Sequence, residues 1–600
     1  MDSCYKGKLL EINLTKGSHN IVELDRDDLR NYIGGKGLGA KLLYDWLEKG
    51  TDPLSPDNLL IFLTGPLTDT KAPTSGRGTI VTKSPATGLF NDSHFGGFLA
   101  TEIKRAGYDG ILFKGKAEHP VMVHVRDKDI TIEDASHLWG KRNHQVFQEL
   151  TKEKPKLRTA TIGPAGENMV KFACVTIDQH RHAGRGGSGA VMGSKNLKAL
   201  TVKGTGSTGI HDEEHFNEVL AEVRKDLAAN EFVPIRRKYG TPIWVKPVNA
   251  AGILPTRNFR EGEFEHAEDI SGEALHERIW TKNGACYNCP IACWNHSRIR
   301  QGEYKDTVLV GPEYETIALM GSNCGIASIE EIAKLCSECN DLGMDTISTG
   351  VAISFAMECS ELGIIPKDLL DIRFGNTDKV IKLMDDIAHR QGIGNMLAEG
   401  TKRAAEQLGG DTHKFAIHVK GLEVPGYDPR GVPGMAIAYA TSDRGACHQR
   451  AWTVKAELNG DLGDRFSKDG RAVFVKDIQD ERAAFFSMVL CDFLPISEKN
   501  TTALWAHASG FDVSKEDYLQ AGERIWNIIR LFNLREVGLT RADDTLPDRL
   551  LNQPLPSGEA EGKTVTSEML DSMLDEYYLS RGWDAQGIPG EEKLTELGLQ

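Results

Sequence analysis

A chain of 600 residues with 40% hydrophobic content can bury ordinary cores in about two to four domains, so it reads as a soluble multidomain globular protein. A formal charge of −15 argues against a nucleic-acid surface, which would have to be a local basic patch on an acidic whole. No run approaches the roughly 20 apolar residues of a membrane helix, and the opening MDSCYKGKLLEINLTKG lacks the positive-then-apolar layout of a secretion signal, so a cytoplasmic location is expected.

In chain order, KLLEINL, LLIFLTG, GTIVTK, GILFKGK, PVMVHV and ITIEDA are short apolar or alternating runs bounded by Gly, Pro, Asp and Lys, which predict a β-rich first domain over 1–205. TGSTG at 205–209 reads as a linker, and HDEEHFNEVLAEVRKDL then switches to helical period. SIEEIAKLCSECNDLG carries a capping box, Ser328 with Glu331, and Gly343 as C-cap. MDTISTGVAISFAMECSELG predicts a helix packed by its apolar face, and KVIKLMDDIAHRQGIGNMLAEGTKRAAEQLGG continues in the same style. The turn-rich PGYDPRGVPGM near 425–435 marks a second boundary, giving mainly helical domains over 206–422 and 423–600. The polar tail from about 553, with Tyr577, Tyr578 and Trp583 as anchors, is expected to lie over the surface. The fold class is therefore α+β, a β-rich base followed by two helical domains.

Eleven cysteines without regular spacing do not make the disulfide framework of a small secreted domain. Cys4, Cys174, Cys324, Cys336, Cys339 and Cys359 read as small buried side chains. Cys286, Cys289 and Cys293 differ, because NGACYNCPIACW is a C-x2-C-x3-C run whose tight turns let three thiolates converge on one metal centre. A structural zinc would take a second close pair, or His296 as a partner. A [4Fe–4S] cubane takes three clustered cysteines and one distant one, often with a proline beside a ligand, as Pro290 is here. The spacing favours the cubane, with Cys447 and Cys491 as the distant candidates. KSPATGLFNDSHFGG and RHAGRGGSGAVMGSKNLKA are Gly-rich turns that, with Arg77, Arg181 and Arg185 nearby, suit phosphate, since glycines let backbone N–H groups approach an anion and arginines add charge-assisted bonds.

NGACYNCPIACW, GPEYET, GSNCGI, NDLGMDTIS, RGVPGMAIAYATSDRGACHQRA and AGRGGSGAVMGSKNLKA together resemble the tungsten- or molybdenum-dependent aldehyde ferredoxin oxidoreductases, in the same order from GKLLEINLTKG to NLREVGLTRADDTLPDRL. The resemblance implies two metal-bound pterins between the base and the helical domains, a [4Fe–4S] cluster beside one of them, and Mg²⁺ bridging their phosphates. It assigns the cluster to Cys286, Cys289, Cys293 and Cys491. The family pattern D-x-x-G-L-D falls on Asn340, Gly343, Met344 and Asp345, with Asn for the first acid. Its second copy falls on Phe486, Val489, Leu490 and Cys491, and has lost both its acid and its glycine. Asn340 can still accept from a pterin edge, whereas Phe486 cannot, so Asp492 or backbone carbonyls would have to replace it.

The resemblance also places Arg77 and Arg185 beside the pterins, His94 and Gly96 near the phosphates, the Gly186 carbonyl toward Mg²⁺, and Arg450 on a phosphate. Facing the metal it implies Tyr314, Glu315 and His448, with Glu313 the alternative carboxylate. The activity implied is oxidation of a small aldehyde, with electrons passed to ferredoxin or an iron–sulfur subunit in a protein that can form homo-oligomers. Two other readings stay open. One is a relative that reduces an aromatic acyl thioester or another carbonyl; the other is an inactive metal-stabilised scaffold, for which the altered motif at 486–491 is the only support.

Overall fold

The computed structural model describes residues 3–600. Twelve strands of the first part of the chain make two six-stranded mixed sheets. The first comprises β1 (Lys8–Asn13), β2 (Ser18–Glu23), β3 (Leu60–Leu63), β4 (Gly78–Lys83), β5 (Phe90–Phe95) and β6 (Gly110–Lys114), in the order β2-β1-β6-β3-β4-β5. The second comprises β7 (Val121–Arg126), β8 (Asp129–Asp134), β9 (Arg158–Thr161), β10 (Val175–Ile177), β11 (Arg181–Ala183) and β12 (Leu197–Lys203), in the order β11-β10-β9-β12-β7-β8. The pairs β1–β6 and β12–β7 are parallel.

Strand periodicity explains why the first sheet is so apolar. Leu10 and Ile12 of β1, Phe62 of β3 and Ile111 of β6 share one cluster with Val123, Leu200 and Val202 of the second sheet. Their alternate neighbours Leu9, Ile61 and Leu112 point the other way, into the cluster formed with the helices. A sheet buried on both faces reads as continuous apolar runs, as LIFL of β3 does. Its outer face is covered by the helix Gly35–Trp46, which packs against Arg471–Met488 and Lys515–Val537 from the far end of the chain.

The six runs read as strands in the sequence all form strands. Two segments read as phosphate turns are partly strand instead: FNDSHF is β5, buried but for His94, and RHA is β11. Helix Glu213–Ala229 follows the linker-like stretch, capped by Asp212, which accepts from the His215 amide at 3.2 Å. The cysteine run lies in no helix. It connects the first two strands of a three-stranded antiparallel sheet, Trp280–Gly284, Trp294–Arg298 and Val308–Val310.

Helix Ile329–Leu342 has half the expected capping box. Ser328 Oγ accepts from the Glu331 amide at 3.4 Å, but its side-chain partner is Glu330. The helix stops at Gly343, whose φ of +82° is left-handed. Thr346–Glu361 is buried around its whole circumference from Ile347 to Ser360, not along one face. Residues 421–447 are also buried without interruption, so the Gly- and Pro-rich turn there is packed core.

The tail corrects the sequence reading most plainly. Tyr577, Tyr578 and Trp583 are all buried, and helix Ser567–Ser580 packs on Arg471–Met488. Trp583 Nε1 donates to Asn527 Oδ1 at 2.7 Å, and the Arg581 guanidinium lies over the rings of Trp526, Tyr577 and Trp583. Long polar stretches concealed it because Arg581 is neutralised by Asp480 rather than by water. No described helix is long and apolar enough to cross a membrane. Truncating Trp583 to Ala should cost about 3–5 kcal/mol, as for a buried aromatic, seen as a lower denaturant midpoint; an unchanged midpoint would return the tail to the surface.

Candidate active site

A cavity of about 470 Å³ is lined from three parts of the chain: Thr74 to Gly96 and His180 to Gly184, then Arg236 to Ile347, then Tyr427 to Phe493. All four cysteines implied by the resemblance line it, whereas Cys447 does not. The turns that gather them are backbone features. Asn288 and Ala292 have φ of +46° and +52°, and the Cys289 amide closes a turn on the Cys286 carbonyl at 3.2 Å. Two residues before Cys491 stands Val489, a β-branched residue at φ +58°; such a conformation costs about 1–3 kcal/mol and persists only when its surroundings hold it.

Thr74 connects these segments. Its amide donates to the Asn288 carbonyl at 3.0 Å, and its hydroxyl accepts from the Cys491 amide at 3.3 Å. Sequence reasoning missed Thr74, although its Pro-Thr-Ser-Gly setting marks a turn. Arg77 Nη1 donates to Cys491 Sγ and Trp294 Nε1 to Cys286 Sγ, at 3.2 and 3.3 Å. A Cβ on Gly96 would fall 2.7 Å from Cys286 Sγ, so that position admits only glycine without rearrangement.

Among the described residues, the one group of Cys, His, Asp or Glu with three ligand atoms all within 4.8 Å of one another is Asp212, His215 and His507, on other elements. The four thiols, and His296, are therefore spread too widely for one zinc, whose tetrahedral bonds of about 2.3 Å put sulfurs about 3.8 Å apart. A multi-iron cluster accommodates that wider spread.

Glu315 and His448 meet in the cavity wall, with Oε1 3.4 Å from Nδ1. Both atoms are buried and have no hydrogen-bond partner, while Glu315 Oε2 accepts from the Gly426 amide at 2.8 Å. Burial pushes Glu315 up to about 8, only partly offset by that amide and by Arg185. Burial, reinforced by Arg185, holds His448 down at about 3. Glu313 stands apart: it accepts from Thr241 Oγ1 at 2.6 Å, lies 3.8 Å from Arg181, and its side chain is 41% exposed. Tyr314 contributes its ring, stacked 4.7 Å from Tyr427, because its hydroxyl is committed to the Gly426 carbonyl. Tyr427, Trp452 and Trp244 continue this aromatic wall, which sequence reasoning did not find.

Of the residues placed beside pterins, Arg77, His94, Gly96, Asn340, Met344 and Asp345 line the cavity. Arg185 stands behind Asp345 at 3.3 Å and holds the Ala446 and Glu423 carbonyls. Asp345 also caps the helix Thr346–Glu361, accepting from the Ile347 and Ser348 amides. Gly343 and Leu490 are buried supports outside the cavity wall, and the Gly186 carbonyl accepts from Ser84 Oγ at 2.8 Å. Phe486 points its ring at His94, 5.0 Å away, and it is Asp492, ion-paired with Arg482 at 3.3 Å, that lines the cavity.

Arg450 is not on the cavity either. With Lys36 it bonds both Asp92 and Asp443 in a closed buried quartet, Lys36 Nζ lying 3.0 Å from Asp92 and Arg450 Nε 2.8 Å from Asp443. Four other arginines line the cavity, and Arg77 Nε, Arg181 Nε and Nη2, and His94 Nδ1 are buried without partners. Beside Gly186 both side-chain polar atoms of Asn91 are likewise unpaired. Buried donors rarely go unpaired, so this lining fits an anionic ligand such as a pterin phosphate.

Models for the N-terminal domain of aldehyde ferredoxin oxidoreductase and for its domains 2 and 3 match residues 9–204 and 218–599. The chain belongs to the aldehyde ferredoxin oxidoreductase family. Within that family it is similar to the tungsten-containing aldehyde ferredoxin oxidoreductases of Pyrococcus furiosus and Thermococcus kodakarensis, at 42% and 41% identity over 99% of this chain and 98% of each relative. It is 35% identical to an aliphatic sulfonate oxidoreductase WOR-like subunit of Pyrococcus furiosus, over 99% of this chain and 97% of that one. Among solved structures it resembles the BamBC active-site complex of benzoyl coenzyme A reductase bound to 1,5-dienoyl-CoA. The TM-score is 0.88 with 27% identity, over 100% of this chain and 98% of that one. Family members of this fold thus carry names with different substrates.

The quartet generates a stability prediction. Burial would raise both carboxyls, but Arg450 and Lys36 outweigh it, holding Asp92 well below and Asp443 below the ordinary range. That contribution is present above the unfolded carboxylate value near 4 and is lost as pH falls through the depressed folded values. Asp443→Asn leaves a buried positive charge unmatched and should cost about 3–5 kcal/mol at neutral pH, a difference that narrows in acid denaturation curves.

Proposed function

We propose that the chain is a cytoplasmic enzyme that oxidises an aldehyde to its carboxylic acid and passes the electrons singly to ferredoxin or a similar iron–sulfur carrier. The observation that carries this reading is that the buried Glu315–His448 pair and four cysteines share one cavity. Three units, 1–205, 206–422 and 423–600, each contribute a wall. In this reading Cys286, Cys289, Cys293 and Cys491 hold a [4Fe–4S] cluster. Arg77, His94, Gly96, Asn340, Met344 and Asp345 take the pterins, Asp492 replaces the acid lost at Phe486, and the Gly186 carbonyl takes Mg²⁺. When bound, a pterin-held tungsten or molybdenum supplies the two-electron acceptor and the cluster the one-electron relay.

The chain's own residues then have defined tasks. The aromatic wall of Tyr314, Tyr427 and Trp452 excludes water and suits an apolar group on the aldehyde. Neutral His448 donates a ring N–H to the aldehyde oxygen. Glu315 takes at Oε1 the proton that the attacking water loses. Aldehyde and water thereby give the acid, two electrons and two protons. A carboxyl tuned near the working pH is an effective proton acceptor. The likeness to BamBC favours a second reading, reduction of an acyl thioester in the same cavity; assays with aldehydes and with benzoyl thioesters under anaerobic conditions separate the two.

His448→Ala and Glu315→Gln should each lower kcat by about 10²- to 10⁴-fold, and their combination should fall short of the product because both act on one transition state. In the parent enzyme the rate should rise with pH through about 8 as Glu315 ionises, a limb that Glu315→Gln removes. Unchanged oxidation in both variants would defeat the mechanism. For the cluster, Cys491→Ser should lose iron and Cys447→Ser should keep it, read by metal analysis of anaerobic preparations; stoichiometric zinc without iron would sink the reading.

A further inference from the structure

A second cleft, of about 640 Å³, opens to solvent beside the cysteine loop. Cys289 alone of the four cysteines lines both this cleft and the inner cavity, so it forms part of the wall between them. The lining contains Lys71, Arg224 and Arg237 and, among the described residues, no carboxylate, on a chain whose net charge is −15. Helix Glu213–Ala229 supplies Arg224 and Leu227, and helix Phe232–Tyr239 supplies Val233 and Arg237. Arg237 has a structural task, donating to the Pro290 carbonyl at 2.6 Å and the Ile291 carbonyl at 3.3 Å, whereas Lys71 and Arg224 stand exposed.

Small apolar surfaces from Leu227, Val233 and Pro290 lie among these cations. An apolar centre with a charged rim is the layout of a protein docking patch. A local positive field on an acidic protein attracts an acidic partner to that place and repels it elsewhere.

We propose that this cleft is the docking surface for a small acidic iron–sulfur carrier protein, which takes electrons past Cys289. The proposal rests on the cluster assignment made under Proposed function. Each aldehyde releases two electrons, so two oxidised carriers dock in turn and each leaves reduced by one.

The test uses the full-length holoenzyme, a low-potential ferredoxin of net negative charge, and the double variant Lys71→Glu/Arg224→Glu. Equilibrium binding is measured at low and high salt, alongside aldehyde-dependent reduction of ferredoxin and of benzyl viologen, a small dye that needs no protein docking. The double variant should bind ferredoxin about tenfold or more weakly at low salt, with a flattened salt dependence and a matching fall in kcat/KM. Its viologen rate should be unchanged, and the Lys71→Arg/Arg224→Lys control should retain binding. Unchanged ferredoxin affinity in the double variant overturns the docking surface. Absence of viologen reduction in the parent enzyme overturns the aldehyde-oxidising reading instead, and the binding measurement still decides the surface.

Discussion

The two hydrogen bonds of Thr74 are the constraint on which the rest of the site depends. Of the four cysteines proposed to hold a cluster, three lie in a loop between strands and the fourth lies some two hundred residues further on. Thr74, in the connection between β3 and β4, bonds both, its amide to the Asn288 carbonyl and its hydroxyl to the Cys491 amide. The Tyr287 amide, held by the Gly97 carbonyl at 3.1 Å, and Asn288 Nδ2, held by the Ala72 carbonyl at 2.8 Å, reinforce the same junction. Preorganisation of this kind means that the spacing of the thiols is set by the fold. The left-handed backbone at Thr74 and Val489 is the local strain that this arrangement tolerates.

Desolvation then decides the protonation of the imidazoles inside. His94 and His180 are held at about 4, and His182 and His448 at about 3, chiefly by burial and with reinforcement from neighbouring arginines. At His94 the bond to Asp92 opposes burial without overcoming it. The cavity is therefore cationic through its guanidinium groups and neutral at its imidazoles. That division lets arginines face anionic ligands while a histidine remains free to act as a hydrogen-bond donor. The Lys36–Asp92–Arg450–Asp443 quartet keeps further charge balanced just behind the cavity wall.

Much of this was legible in the sequence, and the misses share causes. Runs such as LLIFLTG and GTIVTK announce strands because the first sheet is apolar on both faces. The clustered cysteines and GPEYET mark the site because their residue types and spacing are unusual outside it. β5 was unreadable because its Asn, Asp and Ser are buried and its His half-buried beside the site, against strand propensity. The tail was misread because Arg581, Tyr577 and Trp583 find polar partners far away in sequence, at Asp480, Gln479 and Asn527, which no local pattern reveals. The aromatic wall unites Trp244, Tyr314, Tyr427 and Trp452 across long separations, so only tertiary structure assembles it.

Helix Thr346–Glu361 carries a last consequence. Its first turn holds Asp345, which faces the cavity, and its last turn holds Glu358, which is clamped by Arg549 at 2.7 Å and Asn258 at 2.6 Å. With no solvent-facing side between those ends, its amide protons have no local opening through which to trade with water. Deuterium should enter this segment slowly, making it a clock by which global unfolding can be timed without any measurement of activity.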